Sequence, residues 1–238
     1  MTVIPWPLKI RAVGNTAQVG SRRLAAASAP NTADELADMA ATLIESRQTI
    51  LPKRLGAPGP NPAQLAQILH AAAHAPDHGQ LLPWRFVLVP EVSRPQLAEV
   101  FVAALRERDS AATEAQQTQA REKAYRAPLL LLLLLLVVVD GERGDPEIDL
   151  HERLASAGCA VQNMLLMATA QGFGSALTGG KALKSDALRG LFGLAPSELA
   201  LCFLSIGTVL SRKSARPRPA AQDYVSTLDA ERGVAPGF

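Results

Sequence analysis

The sequence predicts an α+β fold, an α/β sandwich in which helices flank a central sheet. Three observations carry this. Eight leucines and three valines run from Leu129 to Val139 without a polar atom. A second strongly apolar stretch, "LALCFLSI", occupies Leu199–Ile206. Segments with helical spacing separate these runs, the pattern of strands covered by helices.

The Leu/Val run needs justification first, because it also suggests a membrane anchor. A bilayer-spanning helix needs ~20 apolar residues, and this run is too short. A signal peptide has an apolar core of this length but lies at the N-terminus. Pro128 before the run and Asp140-Gly141 after it fit a strand buried on both faces, with proline at its start. Val137–Val139 favour strand over the alternative, a buried helix.

The other elements follow in order. Apolar residues at helical spacing run through Leu36–Ile44 and end at the polar "ESRQT". Asn61-Pro62 opens a second helix, with Gln64 placed for a capping box. Pro76 stops that helix near Ala75. "WRFVLV" (Trp84–Val89) reads as a strand. Ser93-Arg94-Pro95-Gln96 repeats the capping signature and opens a helix through Leu97, Val100 and Leu105. Arg106–Tyr125 looks helical and solvent-facing. Leu154–Ala170 is an apolar helix whose small residues Ala155–Gly158 permit close backbone approach, and Gly172 suits the position after its end. Ser185–Leu191 is a short helix. Ser211–Pro219, "SRKSARPRP", is a basic connector, followed by a short tail.

Composition narrows the class. At 238 residues, 48% hydrophobic and 19% charged, the chain can bury a large core and is not a disordered one. A net charge of +2 is too small to imply a nucleic-acid partner. Cys159 and Cys202 both sit in apolar segments, so no disulfide framework is implied and a cytoplasmic setting is expected. The first 33 residues carry Lys9, Arg11, Arg22 and Arg23 and no acid. Their composition resembles a transit peptide, although an extra tail is the simpler reading.

Few residues offer protein-based chemistry. His70, His74 and His78 stand four apart, but Pro76 breaks the helix before His78 and no ligand cluster completes a metal site. His151 opens a helix beside Glu152 and reads as a surface or interface residue. "GFGSALTGG" (Gly172–Gly180) fails the dinucleotide fingerprint in spacing and context, leaving a glycine-rich loop able to approach a ligand closely. Cys159, mid-helix, reads as an inert packing thiol. No nucleophile elbow or carboxylate pair is evident. A large core with so few acid–base candidates points to a bound cofactor as the source of chemistry.

Five segments, in order, resemble the nitroreductase family of FMN-dependent oxidoreductases, and its minimal single-domain branch most of all. "LIESRQT" resembles the family's opening Arg-Arg-Ser motif, and "AHAPDHGQLLPWRFVLV" its Ala-Pro…Gln-Pro-Trp segment. "RAPLLLLLLLLVVV" is similar to the strand that follows, "SAGCAVQNMLLMATAQGFGS" to the central helix and glycine turn, and "LALCFLSIGTV" to the last core strand. The resemblance covers Leu43 to Val209.

It implies a central, mainly antiparallel sheet in a nitroreductase-like domain over 37–228. An N-terminal extension (1–36) would precede this domain and a tail (229–238) would follow it. It implies FMN as cofactor, NAD(P)H as co-substrate, and a homodimer with FMN between subunits. Arg47, Gln48 and Thr49 stand where the family holds the FMN phosphate, His74 where the branch often has Arg, and His78 at its flavin-contacting histidine. Leu177, Thr178 and Gly179 match the turn along the flavin, and Arg216 stands in for a basic phosphate contact. Chemistry would occur at flavin N5, hydride arriving from NAD(P)H and electrons leaving to a nitroaromatic or quinone in ping-pong fashion. Two departures stand out: Arg-Arg-Ser is Arg47-Gln48-Thr49, and Leu82 replaces the Gln of Gln-Pro-Trp, with Gln80 as a substitute. A flavin-binding sensor or carrier without turnover is the alternative that these departures leave open.

Overall fold

The structure, a computed structural model, describes residues 32–125 and 133–237. The basic leader up to residue 31 and Arg126–Leu132, which includes Pro128 and the start of the Leu/Val run, lie outside the described residues. By internal contacts the chain divides into two units, Met1–Asp38 and Met39–Phe238.

The order of elements is α1 (Ala33–Ser46), β1 (Leu55–Gly56), α2 (Pro62–Ala72), β2 (Trp84–Leu88), α3 (Arg94–Arg108), α4 (Glu114–Glu122), β3 (Leu133–Asp140), α5 (Leu150–Ala170), β4 (Gly174–Thr178), α6 (Asp186–Phe192), β5 (Glu198–Val209), β6 (Ser226–Asp229) and β7 (Gly233–Pro236). The main sheet runs β1-β5-β3-β2, with β4 also on β5, and each of these pairings is antiparallel. β6 and β7 form a separate hairpin across the boundary expected between domain and tail.

The apolar run is the middle of this sheet. Leu135, Val137 and Val139 face a core that includes Ile68 of α2 and Met164 of α5, while Leu134, Leu136 and Val138 face a second core with Leu97 of α3 and Leu188 of α6. Leu135 through Val139 are completely buried. A strand covered on both faces needs no polar alternation, which is why the sequence shows none.

The second helix starts as its sequence dictates. The Asn61 Oδ1 accepts from the Gln64 amide at 2.9 Å, and the Gln64 Oε1 accepts from the Asn61 amide at 3.0 Å. Ser93 does not repeat this. It lies in a short 3-10 turn with helical φ/ψ, and its side chain makes no cap hydrogen bond. An N-cap side chain reaches back only from extended backbone, so the same letters give no cap there.

The larger correction concerns Gly172–Gly180. Instead of an open loop, Gly174–Thr178 is a strand on β5, in register from Gly174↔Gly207 to Thr178↔Phe203. Gly174 is required by packing. A Cβ there would lie 2.7 Å from both Leu55 Cδ2 and Val209 Cγ2. Gly174→Ala is expected to destabilise the protein by about 1–3 kcal/mol through overpacking, measured by chemical denaturation.

At the start of β5, Glu198 sits almost buried and receives Arg85 Nε at 2.5 Å, Arg85 Nη2 at 2.9 Å and the Ala195 amide at 2.9 Å. The paired Arg85 guanidinium above all, then the Ala195 amide, holds the Glu198 carboxyl below its ordinary value, against an opposing push from burial. A carboxyl depressed on folding contributes stability above its unfolded pKa and loses it as pH falls through the folded one. Glu198→Gln should therefore cost about 2–3 kcal/mol at pH 7. The deficit should shrink below the ordinary carboxylate value of 4.5, as read from denaturation curves at the two pH values.

Candidate functional site

The fold brings part of the sequence-expected site together at the free edge of β4. The chain leaving α1 runs beside that strand: Thr49 forms a parallel bridge with Ser175, and the Ile50 amide donates to the Ser175 carbonyl at 2.9 Å. Ile50 itself is buried against Leu55 and anchors this crossing. The result is a hollow of about 210 Å³ between Arg47 and Thr49, Gln162 and Leu165 of α5, and Ser175–Leu177 of β4.

The hollow holds donors without partners. Arg47 is half-buried and forms no ion pair among the described residues. Ser175 is 1% exposed, and its hydroxyl has no hydrogen-bond partner among the described residues. A buried hydroxyl left unpaired costs free energy, so such a group beside an arginine suits an acceptor-rich, anionic ligand. Gln48 is half-buried beside these residues in the chain and Thr49 is exposed.

Leu177, Thr178 and Gly179 do not form one surface. Leu177 pairs with Leu204 and shares its face, the face of α5; Thr178 pairs with Phe203 and shares the opposite face, that of α3 and α6. Thr178 and Gly179 accordingly border a second, larger cavity. An added Cβ at Gly179 or Gly180 would meet nothing within 4 Å, so the backbone there is open to close approach.

The histidines are placed elsewhere. His74 follows α2, with its Nε2 3.3 Å from the His70 Nε2 and the rings edge to face. His78 Nδ1 lies 2.7 Å from Glu152 Oε2 at the start of α5. Arg216 is exposed in the basic connector and makes no hydrogen bond or ion pair. No described contact joins these three to the hollow.

The segment from Asp77 to Leu82 is tightly wound. Gln80 and Leu82 both adopt left-handed backbone, at φ 50° and 49°, after Gly79 at 68°. Asp77 holds the turn, accepting from the Leu82 amide at 2.7 Å. A leucine at such φ is strained and this one is 45% exposed, so nothing in the described packing accounts for it.

Neither thiol lines the hollow, although Cys159 stands one helical turn before Gln162, which does. Cys202 is buried on β5, and desolvation pushes its thiol up to about 11. Cys159, expected to pack, is exposed on the outer face of α5. Of the small residues around it, Ala155 and Gly158 are exposed on that face, whereas Ser156, Ala157 and Ala160 are buried. Sequence reasoning missed Ser175 and Gln162. A Gly-Ser step after the helix end marked Ser175 only faintly, and one glutamine on an apolar helix marked Gln162.

Comparison with known proteins identifies the family and the fold. The model of the Nitroreductase family matches residues 44–208. The "Putative NAD(P)H nitroreductase" of Haemophilus influenzae is 33% identical over 190 residues, 79% of this chain and 99% of that protein. A nitroreductase-like family protein from Bacillus cereus shares the fold with a TM-score of 0.64 at 18% identity, covering 79% of this chain and 95% of its own. A Desulfovibrio desulfuricans protein crystallised with FMN superposes with a TM-score of 0.56 at 24% identity, covering 78% and 94%.

Proposed function

The chain belongs to the nitroreductase family, and from that premise we propose that it is an FMN-dependent NAD(P)H oxidoreductase reducing nitroaromatic or quinone-type acceptors. The observation that carries this reading is the meeting of Arg47, Thr49 and the unpartnered Ser175 hydroxyl in one hollow at the edge of β4. These groups fit a phosphate monoester: one guanidinium able to donate twice, two hydroxyls, and no carboxylate lining the hollow. Bound there, FMN would supply the chemistry, accepting two electrons as hydride from NAD(P)H and passing two electrons on to the acceptor. Arg47 binds the phosphate, Ser175 donates from the hollow's buried wall, and Leu177 presents an apolar side chain beside them. Thr178 and Gly179, at the end of β4, are further proposed contacts. His74, His78 and Arg216 join the site only as further proposed contacts.

The functional unit in this reading is a homodimer. Met39 and Ile44 are exposed apolar residues of α1, and Ala155, Gly158 and Cys159 are exposed on α5. Helix faces of this kind are covered in a stable assembly. Sedimentation should give a dimer, with Cys159 protected from a thiol reagent until the dimer dissociates; a monomer with a freely reacting Cys159 would reject it. Among the described residues no helix is long and apolar enough to cross a membrane, and we place the protein in the cytoplasm.

A second reading is a flavin-binding sensor or carrier, favoured by Leu82, whose strained, exposed leucine offers no polar contact. Mixing the FMN-loaded protein with NADH or NADPH without oxygen separates the two. Bleaching supports the enzyme, whereas persistent yellow supports the carrier.

A further inference from the structure

On the opposite face of the sheet from the hollow lies a cavity of about 920 Å³ whose charges are all of one sign. Lys53, Arg94, Arg108, Lys123 and Lys181 line it, and no aspartate or glutamate does. None of the five forms an ion pair with a described residue. The floor is apolar and belongs to the second core, through Leu97, Leu134, Leu183 and Phe203. Phe101 stands edge to face on Phe203, with ring centroids 5.9 Å apart.

Arg94 is the decisive residue. It is only 5% exposed, its Nη1 donates to the Ala124 carbonyl at 3.2 Å, and its Nε has no partner among the described residues. Desolvation weakens its hold on its proton, with Glu91 offsetting this in part. Surface lysines beside a cavity are ordinary. A buried guanidinium without a counter-ion is not, because burying an unpaired charge is costly.

We propose that this cavity binds an organic anion with an apolar body, a carboxylate or phosphate head on a flat aromatic or short alkyl frame, whose charge is the missing partner of Arg94. The head sits between Arg94 and the rim cations, and the body covers Phe101, Phe203 and Leu134. The site does not depend on the flavin reading. Its only shared element is the end of β4, where Thr178–Gly180 border the cavity.

Calorimetric titration of the purified protein with naphthoate tests this, with the uncharged naphthamide as control. Saturable binding of one naphthoate and none of naphthamide is expected. Lys53→Gln with Lys123→Gln, both exposed on the rim, should weaken naphthoate at least about fivefold. Arg94→Met should weaken it further while leaving folding intact, since it removes a buried charge. Should Arg94→Met fail to fold, the lysine pair carries the test. Arg47→Ala, on the other face, should leave naphthoate affinity unchanged. Equal binding of the two compounds, no saturable binding, or affinity lost with Arg47 and kept in the cavity variants would overturn the proposal. Protein that takes up no FMN on reconstitution yet still binds naphthoate would overturn the proposed activity and leave this site standing.

Discussion

Replacing Arg47 by alanine is expected to raise the FMN dissociation constant at least tenfold, a loss of about 1.5 kcal/mol or more. The arginine lines the hollow together with Thr49 and the buried Ser175 hydroxyl, and no described carboxylate pairs with it. Its charge is therefore available to a phosphate. Folding should change little, because the side chain is half-buried and makes no hydrogen bond with a described residue. Ser175→Ala separates ligand binding from folding in the opposite sense. Removing an unpaired buried hydroxyl should stabilise the flavin-free protein and weaken FMN by a smaller factor. Titration of the apoprotein by flavin fluorescence quenching measures both, and an unchanged dissociation constant for Arg47→Ala would reject the phosphate assignment.

Arg153→Ala should have the largest effect on stability. Arg153 is 1% exposed on α5 and donates to three carbonyls of the preceding loop: Ile148 at 2.9 Å, Arg143 at 2.6 Å and Asp145 at 2.5 Å. Hydrogen bonds to a charged donor are stronger than neutral ones, and three carbonyls would lose theirs together. A loss of about 3–5 kcal/mol is expected, with the loop from Gly141 to Asp149 opening to hydrogen exchange before the sheet. Arg153→Lys should recover only part of this, since one ammonium cannot reach three carbonyls in the guanidinium's fixed geometry. Denaturation of the two variants, with amide exchange across the loop, checks both statements.

What the sequence made legible follows from element length and pattern. The leucine run read as a strand because nothing polar interrupts it, and Asn61-Pro62 read as a helix start because a capping box is a local interaction. β4 did not read as a strand. It has five residues, begins on Gly174 and is followed by two more glycines, and it exists because β5 is twelve residues long and offers an edge where β3 leaves it free. That is tertiary information. The same holds for β1, two residues long, and for the β6–β7 hairpin.

The site was legible in the same proportion. Arg47, Thr49 and Leu177 meet in space although 128 and 130 positions separate Thr49 and Arg47 from Leu177, and it was the resemblance, not spacing, that linked them. Strand geometry sends Leu177 and Thr178 to opposite faces, a consequence of period-two alternation that a loop reading could not foresee. Ser175 and Gln162 came into view only when the fold set them against Arg47. Cys159 was expected to pack because its neighbours are apolar, yet helix periodicity turns it outward beside Ala155 and Gly158.

Absorption of the purified protein, followed by anaerobic mixing with NADH or NADPH, tests the central claim most directly. Oxidised flavin bands that bleach on reduction and return when a quinone is added are the expected result. A colourless protein that takes up no FMN on reconstitution, or a yellow one that stays oxidised, would contradict it.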